Sequence, residues 1–400
     1  MKLRRKMLVL GSVVAAASFA AIAPMVASDA ATACAPAWSS TAIYVANNTA
    51  SQSGHNYTAK WWTQNESPAT HSGQWDVWAD NGACGGGTTP TTPPTTGPTT
   101  GPTTPPTTGT KMASAPYVYP GWGSPPAPAT VVNATGIKAF TMAFVNSGGG
   151  CNPAWDSESG LTGGVHASYI SQIKAAGADV IPSIGGWSGN KLGPNCATAN
   201  DLAGAYQKVI NAFGLKAIDI DIENTDEFEN TAVQDKILSA LKIIKQNNSS
   251  VKTIVTFGTS TTGPTYYGTR LVQQAKALGA NIDVFTQMPF DFGGGSDMYT
   301  ATVNASEGLK NLLKTTFGYT DAQAYSHMGI SGMNGLSDQQ ENTTTDTWTR
   351  IRDYAKSKGF ARFTFWAVNR DRGCAGGGVV SNCSGIAQAD WAFTKISAGF

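Results

Sequence analysis

Asp219-Ile220-Asp221-Ile222-Glu223 alternates acid and isoleucine directly after the apolar stretch Leu215-Lys216-Ala217-Ile218. In a strand, residues two apart share a face, so the three carboxylates point one way and the isoleucines the other. Carboxylates crowded on a largely buried strand do not all ionise; protons are shared, and at least one pKa rises toward the range a general acid needs. An exposed edge strand would let the same acids face water, but the flanking residues are too apolar for that. A calcium loop would need a turn glycine and a more distant glutamate, and this stretch is strand-like instead. The pattern reads as chemistry.

Outward from this stretch, short apolar runs alternate with helical periodicity. Strands are expected at 117–119, 139–145, 179–184, 217–222, 253–257, 282–288, 327–331 and 363–366, and helices at 167–176, 202–212, 233–246, 269–278, 306–315 and 345–358. Strands and helices alternating in this way predict an α/β fold, a (β/α)8 TIM barrel with its catalytic groups at the carboxyl ends of the strands. The acids then lie on the fourth strand, Glu223 at the mouth and Asp221 and Asp219 progressively deeper. Ser183-Ile184-Gly185-Gly186-Trp187 closes the third strand, Met288-Pro289-Phe290-Asp291 the sixth and Trp366 the eighth, while Gly332-Met333-Asn334 follows the seventh.

The chain has 400 residues, 41% hydrophobic and 13% charged, with a formal net charge of +1, which permits a large core and more than one domain. Near-neutral charge without a basic run argues against nucleic acid as a partner. Residues 1–33 read as an export signal, with Lys2, Arg4, Arg5 and Lys6 before an apolar run and Ala31-Thr32-Ala33 as the cleavage site. No other apolar stretch is long enough to span a bilayer, so a secreted, extracellular product with no membrane partner is expected. The six cysteines lie beyond the cleavage site and read as disulfides. Pairing Cys34 with Cys84, Cys151 with Cys196 and Cys374 with Cys383 keeps each bond inside one apparent structural unit. The four histidines are scattered and no cysteine pair has zinc spacing, so no metal or other cofactor is expected. A monomer is expected as well.

Residues 85–110 are almost wholly Thr, Pro and Gly, a composition that stays extended and unpacked as a linker. It separates a small domain at 34–84 from a large one at 111–400. The small domain carries Trp38, Tyr44, Tyr57, Trp61, Trp62, Trp75 and Trp78, more rings than so short a segment can bury. Exposed rings of this kind stack on the apolar faces of sugars.

Tyr57-Thr58-Ala59-Lys60-Trp61-Trp62-Thr63-Gln64, with Trp38, Tyr44 and Trp75 around it, resembles the family 5/12 carbohydrate-binding modules. The resemblance implies a small all-β module that binds chitin, less often cellulose, with Trp61 or Trp62 and Tyr44 as stacking platforms. In the large domain, the three acids, Ser183-x-Gly185-Gly186, Met288-x-x-Asp291 and Trp366 together resemble glycoside hydrolase family 18. Cys151-Asn152-Pro153-Ala154-Trp155 and Trp366-Ala367-Val368-Asn369-Arg370-Asp371 are similar to its bacterial and archaeal chitinase branch.

That resemblance implies an endo-type chitinase acting on chitin and chito-oligosaccharides. Glu223 would be the proton donor, Asp221 the group that orients the substrate's acetamido, and Asp219 its proton-sharing neighbour. Trp366 would floor the cleft, with Ser183, Met288, Phe290 and Asp291 as further substrate-binding positions. It implies retention of configuration through attack by the substrate's own acetamido oxygen, an exception to the two-carboxylate scheme. Two positions depart from the family pattern. Lys216 stands where an Asp often begins the fourth-strand motif, pointing away from the acid face. Phe290 stands where many members carry a Tyr that holds the acetamido oxygen, and Phe has no hydroxyl to donate. The short segment 334–362 implies a shallow, open groove suited to internal cleavage. Two other readings use the same strands. A non-catalytic chitin-binding lectin typically lacks the acid Glu, which is present here; an endo-β-N-acetylglucosaminidase acting on N-glycans fits poorly with a chitin-type binding module.

Overall fold

The structure, a computed structural model, describes residues 32–44, 48–60, 63–73, 76–85, 111–374 and 377–400. Most of the expected export segment and linker lies outside these residues, as do Trp61, Trp62 and Trp75. The chain divides into two compact units, Met1–Thr100 and Gly101–Phe400.

In the first unit, Thr49–Gln52, His55–Ala59 and Trp78–Ala83 form an antiparallel sheet, and Ile43–Tyr44 pairs with Thr63–Gln64. No helix occurs among its described residues. Its core is Tyr44, Ala50, Tyr57, Ala59 and Trp78. A core this small needs a covalent tie, and Cys34–Cys84 supplies it. Tyr44 is therefore corrected from a stacking platform to a core residue. It is 9% exposed, packs edge-on against Trp78 with ring centroids 4.9 Å apart, and its hydroxyl accepts the Ser39 N–H.

The second unit is built on eight parallel strands in chain order: β1 Tyr117–Val118, β2 Ala139–Ser147, β3 Asp179–Gly185, β4 Ala217–Ile222, β5 Lys252–Gly258, β6 Val284–Met288, β7 Met328–Met333 and β8 Arg362–Trp366. The segment entering β1 lies against β8: Met112 N donates to Ala361 O (2.8 Å), Ser114 Oγ to Phe363 O (2.6 Å) and Thr364 Oγ1 to Ala115 O (2.6 Å). Both faces of the sheet are covered, which is why its strands read as continuous apolar runs.

A main helix follows each strand: α1 Pro128–Thr135, α2 Gly164–Ala175, α3 Ala199–Phe213, α4 Thr231–Asn247, α5 Tyr266–Leu278, α6 Met298–Phe317, α7 Thr345–Lys358 and α8 Ala392–Ala398, with short extra helices at Leu192–Asn195 and Asp321–Tyr325. Their boundaries follow capping chemistry. In α3, Thr198 and Asp201 form a reciprocal capping box and Gly214, at φ 60°, closes the end. The sequence predicts α6 only from 306, yet the helix begins at Met298. Thr300, Thr302 and Val303 are poor helix formers, but Met298, Ala301, Thr302 and Ala305 are buried and the Asp297 side chain caps the first turn. Among the described residues, no helix is long and apolar enough to cross a membrane.

Cys151–Cys196 and Cys374–Cys383 pair as expected, with Cα atoms 4.5 Å and 5.8 Å apart. The first bond pins the loop after β3 to the loop after β2. Replacing Cys151 and Cys196 together by Ala is expected to lower the unfolding free energy by about 2–4 kcal/mol. Chemical denaturation in oxidising buffer checks this, and a loss well under about 1 kcal/mol would show that the loops hold without the bond.

Candidate active site

The alternation in β4 does what its spacing implies. Ile218, Ile220 and Ile222 join the main apolar core, while Asp219 and Asp221 turn to the other face, 0% and 3% exposed. Asp219 is the deepest. Its Oδ2 accepts from Tyr117 Oη (2.5 Å) and Ser183 Oγ (2.8 Å), and its Oδ1 from Thr256 Oγ1 (2.6 Å) and Arg362 Nη1 (3.4 Å). Four donors fill the acceptor sites of a carboxylate. The expected sharing of a proton between Asp219 and Asp221 is corrected accordingly, since Asp219 has no site left for it. Among the described residues no hydrogen bond joins the two acids.

Asp221 is pushed well above the usual carboxylate range, first by burial, then by the neighbouring Glu223 and Asp219. Its Oδ1 is buried without a partner. Glu223 follows in extended conformation as the residue before a π-helix, Asn224–Phe228, a form often found at functional sites. Burial pushes Glu223 up to about 7; Lys191 opposes that rise, and Asp291, Asp338 and Asp219 add to it. A carboxyl raised to about 7, beside one pushed upward by burial and a third that is fully hydrogen-bonded, makes a set suited to general acid work.

A cleft of about 870 Å³ opens at the carboxyl ends of the strands, and Asp221, Glu223, Met288, Phe290, Asp291 and Trp366 all line it. Trp366 stacks on Phe144 with centroids 5.7 Å apart and 13° between planes, and Tyr117, Tyr119 and Trp122 surround it. Asp291 has left-handed backbone (φ 57°); its Oδ1 accepts from Gln339 N (3.2 Å), and its own N–H donates to Glu341 (3.2 Å). Ser183 does not line the cleft. It is completely buried behind Asp219 and donates to it, so its expected place among the substrate contacts is corrected to a support. Lys216 is exposed and pairs with Asp179 (2.9 Å), away from the acids as expected.

The glycines after β3 are required by close approach. A Cβ on Gly185 would sit 2.2 Å from the Asp221 carbonyl oxygen, and one on Gly186 would meet the Phe144 ring at 2.8 Å. Gly186 N in turn donates to Asp221 O (2.9 Å).

Sequence reasoning missed several neighbours. Arg362, Tyr117 and Thr256 support Asp219 from other strands. Trp122 and Trp187 are exposed at 48% and 68% and line the cleft. Asp338 and Gln339 reach it from the hairpin of Gly335–Leu336 and Asn342–Thr343, and Val379, Val380 and Ser381 from the segment closed by Cys374–Cys383. The signal for Arg362 was a charged residue opening an apolar strand.

No model of a known family matches the chain. Among curated proteins, a probable bifunctional chitinase/lysozyme of Escherichia coli strain K12 is 27% identical over 282 residues, covering 65% of this chain and 31% of the relative. Endochitinase 11 of Metarhizium anisopliae is 26% identical over 251 residues, covering 59% of this chain and 48% of the relative. The chain thus spans less than half the length of either. Among solved structures, the catalytic domain of the hyperthermophilic chitinase of Pyrococcus furiosus superposes with a TM-score of 0.66 at 23% identity, covering 74% of this chain and 97% of that domain. The second unit has the fold of that catalytic domain.

Arg362→Met is expected to destabilise the protein by about 3–5 kcal/mol, because it strands the Asp219 charge in the core. Adding Asp219→Asn should restore part of the loss. Urea denaturation of the wild type, both single variants and the double variant tests this, and strictly additive effects would refute the pairing.

Proposed function

We propose that the chain is a secreted, monomeric chitinase of the glycoside hydrolase 18 type, with the eight-stranded sheet as a closed (β/α)8 barrel. The observation that carries the reading is the graded acid row of β4: a saturated Asp219, a buried Asp221 with an open acceptor, and Glu223 near neutrality at the edge of a cleft walled by aromatic rings. The likeness to curated chitinases across more than half the chain supports the same substrate class.

In this reading Glu223 gives its proton to the glycosidic oxygen as the bond to the anomeric carbon breaks. The substrate's acetamido oxygen attacks that carbon from the other side and forms an oxazolinium-like intermediate. Asp221 Oδ1 takes the acetamido N–H and aims the oxygen, and its proximity stabilises the positive charge. Water then adds with the Glu223 carboxylate as base, which restores the acid and retains configuration. Trp366 floors the subsite of the distorted sugar, with Met288, Phe290 and Asp291 beside it. Phe290 contributes shape but no hydrogen bond. An open groove favours internal cleavage, and the small unit, with Trp61 and Trp62 as stacking faces, holds the enzyme on chitin and raises local substrate concentration. Nucleic acid, membrane and cofactor have no part in this scheme.

Release of reducing ends from colloidal chitin by the wild type and by Glu223→Gln, with binding recorded alongside, tests the reading. Activity is expected to fall by about 10³-fold while binding persists; a variant that cleaves as well as the wild type would sink it. Because the donor must be protonated, kcat/KM should be retained below a pH of about 7 and lost as pH rises through that value. A profile flat from 5 to 9 would count against Glu223 as the acid, the bounds being about two pH units either side of neutrality.

A further inference from the structure

The reaction scheme leaves two buried titratable groups without a role. Lys191 and Glu227 are 1% and 3% exposed and do not line the cleft. Lys191 lies on the loop that leaves β3, where its Nζ donates to the carbonyls of Gly185 (3.3 Å) and Ser188. Glu227 lies on the π-helix that starts directly after Glu223. Its Oε1 accepts from Gly193 N (3.3 Å), and its Oε2 is buried without a partner. Both converge on Gly185: a Cβ there would lie 3.4 Å from Glu227 Oε2, while Lys191 holds the carbonyl of the same residue. No direct ion pair joins Lys191 to a carboxylate among the described residues. A cation solvated by carbonyls alone, inside the protein, acts on its surroundings with little screening.

We propose that Lys191 is a positioning residue that acts on the acid Glu223 through space from the loop leaving β3, without touching substrate. This rests on Glu223 being the acid. The charged and titratable groups around Glu223 come from several elements: Asp219 and Asp221 from β4, Glu227 from the π-helix, Asp291 from the loop after β6, Asp338 from the hairpin after β7 and Lys191 from the loop after β3, with Arg370 lining the same cleft. Lys191 opposes the carboxylates, drawing the Glu223 proton affinity down against burial. Burial in turn holds Lys191 below its usual value, with Glu227, Glu223, Asp221 and Asp226 acting the other way. Burial pushes Glu227 up to about 8, again with Lys191 opposing. Asn224 ties the same turn to the same loop, its Nδ2 donating to Trp187 O (2.6 Å), so the geometry between cation and acid is held from both sides.

The test is the pH dependence of kcat/KM on a soluble chito-oligosaccharide for Lys191→Met and Lys191→Arg. Loss of the cation is expected to move the alkaline limb up by on the order of one pH unit. Retention of charge in the Arg variant should leave it in place. A limb unmoved in Lys191→Met, or moved as far by Lys191→Arg, overturns the proposal, whatever happens to kcat. If Lys191→Met does not fold, combining it with Glu227→Gln removes both buried titratable groups together, a change cores often tolerate, and an upward shift is still required, smaller than in the single variant because a like charge near Glu223 is withdrawn as well. Where turnover is too weak to follow, carbon NMR titration of the Glu223 carboxyl, assigned against Glu223→Gln, must move the same way. Full activity in Glu223→Gln would instead sink the acid role itself, a distinct failure.

Discussion

One ion pair sealed from water organises the centre of the large unit. Arg362 and Asp219 are both 0% exposed, and the guanidinium also reaches Thr141, Thr256 and Thr286. A single side chain from β8 therefore touches β2, β4, β5 and β6, stitching across the interior what the backbone joins only between neighbours. Charges this deep need their hydrogen-bonding capacity met, and here the sheet interior supplies hydroxyls to both Nη atoms, with Nε alone of the guanidinium nitrogens left unpartnered. The threonines at 141, 256 and 286 are β-branched and suit a strand, so the same residues serve propensity and solvation.

The rest of the acid row follows from that saturation. With Asp219 fully engaged, the next carboxyl outward has neither a cation in contact nor a donor on Oδ1, and burial raises its proton affinity. Glu223, farther out, feels the same desolvation but also the opposing Lys191, and settles near neutrality. Three chemically similar groups at two-residue spacing thus meet three different environments, set by depth and company alone.

Periodicity made the architecture legible. The strand faces, the helix faces and the acid row are all local patterns, and β4 spans the same residues in the sequence reading and in the structure. The disulfides were legible because each lies within one unit. What stayed hidden depends on pairing across long separations. Arg362 stands 143 residues from Asp219, and nothing near Phe363 announces the partner. Ser183 and Tyr44 sit in motifs that resemble binding patterns, but burial behind Asp219 in one case and against Trp78 in the other is a property of the folded packing, invisible to a motif. Lys191 reads as an ordinary loop lysine until the loop closes over it.

The two glycines after β3 carry a further implication, for how the site tolerates change. At Gly185 the obstacle is the backbone carbonyl of Asp221, which no rotamer change relieves; at Gly186 it is the Phe144 ring, itself stacked on Trp366. Both glycines also sit at positive φ, 116° and 82°, where other residues are strained. Diversity introduced at these positions would be filtered before function is ever sampled. At the cleft's outer rim the side chains of Trp122, Trp187 and Val380 stand in solvent and meet no such obstacle. Variation in the cleft is therefore easiest at these rim side chains and hardest at the two glycines beneath them.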